Sequence, residues 1–142
     1  MKVIDLNLLL YAVNRDGPRH SEARTWLQQA MSGEERIALP WTVILGFIRL
    51  TTSPRVFEHP LSPEDALGTV DAWLSQQSVS SLEAGDGHWG ILRDLLLEAG
   101  TAGNLTTDAH LAALAIEHGA ELCSTDADFA RFKRLNWTNP LP

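Results

Sequence analysis

Two aspartates follow short apolar segments that are typical of buried β-strands. Asp5 comes directly after Ile4, and Asp126 closely follows Cys123. In an open parallel α/β sheet, ligands bind in crevices at the carboxyl ends of the strands, so both aspartates are predicted to lie at one edge. Asp108 stands at the start of an apolar helical pattern, and it completes an acidic cluster if that helix packs beside the same edge.

Carboxylates that are brought together without a nearby base repel one another, and each raises the pKa of the others unless a cation neutralises them. Their hard oxygen atoms favour Mg²⁺ or Mn²⁺ as that cation. Magnesium usually keeps several waters and bridges to substrate phosphates, so a bound water can attack a phosphodiester while the ion stabilises the developing charge. The pattern therefore predicts nuclease chemistry without a side-chain nucleophile, with Mg²⁺ as the cofactor and Mn²⁺ as a substitute.

Each aspartate alone also has a simpler explanation, because aspartate at a strand-to-helix turn is a common N-cap that accepts hydrogen bonds from free backbone N–H groups. Asp128, within the first turn after Asp126, is explained equally well by the helix dipole. As a set, Asp5, Asp108 and Asp126 are harder to explain in this way. We take these three as the candidate catalytic and metal-binding residues, with Asp128 as a further candidate ligand.

Short apolar runs alternate with helical patterns along the chain, which predicts an α/β fold with a largely parallel sheet. Strands are predicted at residues 3–5, 36–39, 78–82 and 121–124. Helices are predicted at residues 8–13, 21–31, 41–50, 63–74 and 88–99, and from 106 to a stop at 119. Gly100 and Gly119 are expected to end the last two helices, and Pro40 is expected as the first residue of the helix at 41–50.

A chain of 142 residues with 44% apolar content is expected to form a single domain over residues 1–142. The lone cysteine, Cys123, lies in an apolar segment, so we expect a buried core residue and neither a disulfide nor a thiolate metal site. No apolar stretch approaches the roughly 18 residues that span a membrane. We therefore expect a cytoplasmic protein without membrane contact.

The formal net charge of −7 at pH 7 opposes binding to nucleic acid, because acidic surface repels phosphates. Either basic residues are gathered locally, or the carboxylates hold a metal ion. Arg131, Lys133 and Arg134 form a small basic group past Asp126 that could contact RNA phosphates, although a solvated face explains them equally well. Arg49, near the end of an apolar helix, is a similar candidate.

With these segments in place, the chain resembles a PIN domain of the VapC toxin type over nearly its whole length. The resemblance is carried by segments whose order and spacing match the family, at residues 3–12, 20–27, 105–115 and 124–132. It implies a three-layer αβα domain with a central, largely parallel sheet.

The resemblance also implies roles for individual residues. Asp5 and Asp108 are expected to bind metal, and Asp126 and Asp128 are expected to take part at the closing acidic turn. Two polar neighbours are expected to support this site, Asn7 and Thr125.

The function that the resemblance implies is that of a metal-dependent endoribonuclease, the toxin half of a toxin–antitoxin pair. The implied partners are an RNA substrate, a cognate antitoxin of the VapB type and a second copy of the chain in a homodimer. An aspartyl phosphatase of doubly wound fold is the other enzyme class considered, and it fails because no second acid lies two residues after Asp5.

One position departs from the family pattern, because Gly46 aligns with the glutamate that usually follows the second strand. The alternative function is therefore a catalytically weakened PIN-like module that binds RNA or an antitoxin. Glycine inside a helix costs roughly 1 kcal/mol relative to alanine. If only a carboxylate is missing, Gly46→Ala should stabilise the helix, and if glycine permits close approach of another segment, a side chain should overpack the core.

Overall fold

The structure is a computed structural model that describes all 142 residues. Its strands are β1 (Lys2–Ile4), β2 (Ile37–Pro40), β3 (Val79–Leu82), β4 (Glu121–Cys123) and β5 (Trp137–Thr138). Its α-helices are α1 (Leu6–Val13), α2 (His20–Ser32), α3 (Trp41–Thr51), α4 (Pro63–Leu74), α5 (His88–Ala99) and α6 (Thr106–Glu117). Two 3₁₀ helices are formed by Gly103–Leu105 and Ala127–Arg131.

The five strands form one sheet in the order β3-β2-β1-β4-β5, and every neighbouring pair is parallel. The chain moves from β1 through β2 to β3, then returns across the sheet to β4. Because such crossovers are right-handed, the reversal places the helices α1–α4 on one face and α5 and α6 on the other. Contacts between helices follow the same grouping, which confirms the predicted three-layer αβα architecture.

The core lies on both faces of the central strands. All four residues of β2 are buried, as are Val3 and Ile4 of β1. Strands that are covered by helices on both faces have continuous apolar sequences rather than alternating ones. Cys123 in β4 is 1% exposed, as predicted, and burial is the main reason that the pKa of its thiol rises to about 12.

Most predicted elements are confirmed with shifted bounds. α1 begins two residues earlier than predicted because Asp5 caps it. Pro40 is the last residue of β2 and the N-cap of α3, not the first residue of the helix, so that prediction was wrong. Gly100 and Gly119 adopt φ angles of 72° and 63°, the left-handed conformation that glycine tolerates at helix ends.

The strand β5 was not predicted. It contains only Trp137 and Thr138, which are too few residues to give an alternating pattern. The strand is recognised only from its parallel pairing with β4, in which Trp137 lies opposite Leu122 and Thr138 opposite Cys123. No helix in the structure combines the length and the apolar character needed to cross a bilayer.

Candidate metal centre

The acidic residues meet where the connections of the sheet change direction. β1 leads through helices to β2 on one side, whereas its other neighbour, β4, leads to β5 on the opposite side. Ile4 lies opposite Cys123, and the Asp5 N–H donates to the Cys123 carbonyl at 3.0 Å, so Asp5 and Ser124 leave the two strands side by side. Crevices at such reversal points are the usual ligand sites of open α/β sheets.

Asp5 is held by two hydrogen bonds and is only 8% exposed. Its Oδ1 accepts from the Leu6 N–H at 2.7 Å, and its Oδ2 accepts from the Ser124 hydroxyl at 2.6 Å. Burial raises the pKa of Asp5 above its usual value, the two hydrogen bonds oppose that rise, and the charge of Asp126 adds to it. The N-cap explanation is therefore correct for Asp5, but the carboxylate also lies buried in the crevice.

Asp126 and Asp128 lie in the turn that follows β4. Asp126 is the N-cap of the 3₁₀ helix Ala127–Arg131, where its Oδ1 accepts from the Asp128 N–H at 2.9 Å. The Asp126 side chain is partly buried, and Asp128 is exposed. The cap thus orients Asp126 and leaves the carboxylate of Asp128 free.

Asp108 joins these residues from the first turn of α6. One carboxylate oxygen each from Asp108, Asp126 and Asp128 lie within 4.8 Å of one another. Burial raises the pKa of Asp108 to about 6, and the negative charges of Asp126, Asp5 and Asp128 add to that rise. None of the four carboxylates forms a salt bridge within the chain. The structure therefore brings the predicted acids together and gives them no basic partner.

These donors fit a hard divalent cation. All are carboxylate oxygens, which Mg²⁺ and Mn²⁺ prefer. The pKa of Asp108 is raised first by burial and then by the charges of the neighbouring carboxylates, and a bound cation would favour the ionised form against both. Asn7 adds a second observation, because its Oδ1 is buried and has no hydrogen-bond partner while its Nδ2 donates to Ser124 Oγ at 3.2 Å. A buried oxygen without a donor is costly, so a cation or its water could supply the missing contact.

The sequence prediction missed Ser124 and chose its neighbour instead. Thr125 was expected to support the site, but it makes no side-chain hydrogen bond, whereas Ser124 makes three and is fully buried. The physical reason is the pairing of β4 with β1, which brings Ser124, the residue directly after β4, within hydrogen-bond distance of Asp5. Ser124 could have been recognised as the first hydroxyl after β4, but only if the pairing of β4 with β1 had been known.

Gly46 lies buried in α3 against Leu6, the first residue of α1. A Cβ at position 46 would be 2.7 Å from Leu6 Cδ2, closer than side chains pack. Of the two explanations for this glycine, the structure favours close approach of another segment. Leu6 fills the space into which a side chain at position 46 would extend.

The predicted RNA-contacting residues lie on the surface. Arg49, Arg131, Lys133 and Arg134 are all exposed, and none forms an ion pair within the chain. Arg131 ends the same 3₁₀ helix that Asp126 begins. Arg49 lies one helical turn beyond Gly46 in α3.

A second group of possible ligands lies away from this site, at residues Asp16, Glu58 and His59. All three are exposed, and His59 Nδ1 lies 2.9 Å from Asp16 Oδ2. The pKa of His59 is raised by this contact, so an ion pair explains the group without a metal. Asp16 and His59 also line a cavity of about 660 Å³ beside α2 and α4, to which none of the four acids contributes.

Comparison with known proteins gives a consistent assignment. The PIN domain family model matches residues 2–135, and the chain belongs to this family. The chain is 48% identical over 141 residues to ribonuclease VapC33 of Mycobacterium tuberculosis, with 99% of each chain covered. It is 42% identical over 140 residues to ribonuclease VapC37 of the same species, covering 99% of this chain and 97% of that one. The predicted resemblance to PIN domains of the VapC type is thereby confirmed.

Solved structures with a similar fold include VapBC structures. The structure of VapBC2 from Rickettsia felis bound to a promoter DNA fragment matches with a TM-score of 0.69 at 20% identity, over 97% of both chains. VapBC-1 from nontypeable Haemophilus influenzae matches with a TM-score of 0.70 at 14% identity, over 99% of this chain and 98% of that one. At these identities the matches establish the fold alone.

Proposed function

We propose that the chain is a metal-dependent endoribonuclease, the toxin component of a VapBC-type pair, that acts as a single domain over residues 1–142 in the cytoplasm. The class of enzyme is supported by the full-length relatives, which are named ribonucleases and share 42% to 48% of its sequence. The catalytic residues in this proposal are Asp5, Asp108 and Asp126.

The observation that carries the metal dependence is the geometry of the acids. Oxygens of three carboxylates lie within 4.8 Å of one another at the reversal point of the sheet, and no lysine or arginine pairs with them. Repulsion within such a cluster lowers the free energy of unfolding unless a cation neutralises the charges. Mg²⁺ is the ion we propose, with Mn²⁺ able to replace it.

The residues that would hold the ion are Asp108 and Asp126, with Asp5 and Asp128 beside them. A bound divalent ion supplies Lewis acidity toward a phosphate and acidifies a coordinated water. Asp108, with a pKa of about 6, is largely ionised at neutral pH, so its oxygens are available as ligands. Asp5 cannot turn away, because each of its oxygens already accepts a hydrogen bond.

Substrate binding must overcome the net charge of −7. Arg131, Lys133 and Arg134 are the residues proposed to contact RNA phosphates, because they are exposed, unpaired and follow directly on the acidic turn. Phosphate contacts position a nucleic acid without reading its sequence. These residues would therefore place a phosphodiester near the acids without choosing the cleavage site.

Two protein partners belong to the proposal. A VapB-type antitoxin would inhibit the enzyme by placing a basic residue over the acids, and an arginine suits this role because its guanidinium pairs bidentately with carboxylates. The second partner is another copy of the chain. Exposed apolar side chains on α5, Trp89 at 69% and Leu97 at 64%, are consistent with such a contact. Light scattering of the purified toxin would give the mass of a dimer if this is correct.

The alternative, a weakened module without catalysis, is not favoured. The departure at Gly46 suggested it, but Asp5, Asp108 and Asp126 are all retained, and their charges act on one another. The matched relatives are named as ribonucleases.

An RNA cleavage assay tests the proposal. Purified protein without its antitoxin should cleave RNA in the presence of Mg²⁺ or Mn²⁺, lose activity in EDTA and regain it when the ion is restored. Asp108→Asn should be inactive while remaining folded, and Asp71→Asn, which changes an exposed aspartate of α4, should be unaffected. Cleavage that persists in EDTA or in Asp108→Asn would contradict the proposal.

A further inference from the structure

Ser124 connects the parts of the site that come from different elements. Its hydroxyl donates to Asp5 Oδ2 at 2.6 Å and accepts from Asn7 Nδ2 at 3.2 Å and from the Asp126 N–H at 3.0 Å. One buried oxygen atom thus contacts the end of β1, the first turn of α1 and the turn after β4.

The directions of these hydrogen bonds follow from the chemistry of the groups. A serine hydroxyl has one hydrogen, and an ionised carboxylate can only accept, so the hydrogen of Ser124 is directed to Asp5. The two acceptor lone pairs of Oγ then remain for the backbone N–H of Asp126 and the amide NH₂ of Asn7. The orientation of Asn7 is fixed as a result, with its Oδ1 turned away from Ser124.

The position of Ser124 is itself constrained. Its backbone N–H donates to the Thr138 carbonyl at 3.1 Å, and its carbonyl accepts from Trp137 Nε1 at 2.9 Å. The two residues of β5 therefore hold the backbone that carries the hydroxyl.

On this geometry, and resting on the metal-dependent nuclease proposed above, we propose that Ser124 is a positioning residue that sets the orientation of Asp5 and of the turn bearing Asp126 for metal binding. Its contribution is orientation and not ligation, since its single hydrogen and both acceptor positions are already occupied. Groups that orient metal ligands in this way typically change metal affinity by about 10- to 100-fold when they are removed. No comparable effect is expected from Thr125, which makes no side-chain hydrogen bond.

The test is Mn²⁺ titration by calorimetry on full-length protein, with thermal melting of each variant measured without metal. Ser124→Ala should weaken Mn²⁺ binding by about 10- to 100-fold. Ser124→Thr, which keeps the hydroxyl, should restore most of the affinity, and Ser124→Cys, which has a similar shape but donates weakly, should fall between them. Thr125→Ala is the matched control and should bind as the unmodified protein does.

The outcomes separate this inference from the proposed function. If folded Ser124→Ala or Ser124→Cys binds Mn²⁺ as tightly as the unmodified protein, the positioning role is wrong while the nuclease proposal stands. If folded Ser124→Thr binds as weakly as Ser124→Ala, the hydroxyl is not the cause and the inference is also wrong. If the unmodified protein binds no divalent ion, both proposals fail. Should Ser124→Ala not fold, the comparison of the Cys and Thr variants decides.

Discussion

Leu6 occupies the space in front of Gly46, so that a Cβ at position 46 would lie 2.7 Å from Leu6 Cδ2. Position 46, where the family pattern has a glutamate, and Leu6, the residue after Asp5, therefore pack directly against each other. Leu6 is only partly buried, and the contact is with the far end of its side chain, so Leu6 can move at some cost.

We expect Gly46→Ala to raise the free energy of unfolding by less than the roughly 1 kcal/mol that alanine provides over glycine in a helix, because Leu6 must change rotamer. Gly46→Ala combined with Leu6→Ala should remove the clash, and a thermal-melt cycle of the two single variants and the double variant measures the coupling. A Gly46→Ala protein that is stabilised by the full amount, with no coupling to position 6, would contradict this packing.

The same contact determines how a fourth acid could be restored. Gly46→Glu alone should destabilise the protein by roughly 1 to 3 kcal/mol, because its side chain overpacks against Leu6. The double variant Gly46→Glu with Leu6→Ser should be more stable than Gly46→Glu alone. It should also bind Mn²⁺ more tightly than Leu6→Ser alone, as measured by calorimetry. Weaker Mn²⁺ binding by the folded double variant would show that position 46 does not face the metal site.

Asp108 is expected to reduce stability at neutral pH. Its pKa is about 6 in the folded protein and near 3.8 when unfolded, so the folded state keeps the proton to higher pH and stability falls as pH rises from about 4 to about 6. Asp108→Asn removes this cost. After allowance for solvent screening at a partly exposed group, the gain at pH 7 without metal is about 1 kcal/mol, or roughly 3 °C in Tm.

Thermal melts in EDTA at pH 7 and pH 4 check this expectation, with Asp71→Asn as the control. The gain should be present at pH 7 and small at pH 4, where the carboxyl is neutral in the folded state and only partly ionised in the unfolded state. A loss of stability at pH 7 would mean that Asp108 has a favourable partner.

The basic residues after the acidic turn should govern the salt dependence of RNA binding. Replacing Arg131, Lys133 or Arg134 by glutamine should weaken binding to unrelated single strands by similar factors, because phosphate contacts carry no sequence information. Each replacement should reduce the slope of log K against log salt by about 0.7. Arg24→Gln on α2, also exposed, is the control. Unchanged slopes would mean that these side chains are solvated and do not contact RNA phosphates.

The positions of the acids could be predicted because each depends on local signals. Asp5 and Asp126 follow apolar strands, and Asp108 lies in the first turn of a helix whose pattern is evident from the sequence alone. The contacts that join the elements could not be predicted. The role of Ser124 depends on the pairing of β1 with β4, and the role of Gly46 depends on how α1 packs against α3. Neither relationship leaves a pattern within one segment.

The most direct test of the metal centre is calorimetric titration of the unmodified protein with Mn²⁺ between pH 5 and pH 8. Because the ion must displace the proton of Asp108, affinity should rise by up to about tenfold per pH unit below pH 6 and level off above pH 7. Asp108→Asn should bind weakly at every pH. Affinity that is independent of pH, or equal in Asp108→Asn, would contradict a divalent ion held by these acids.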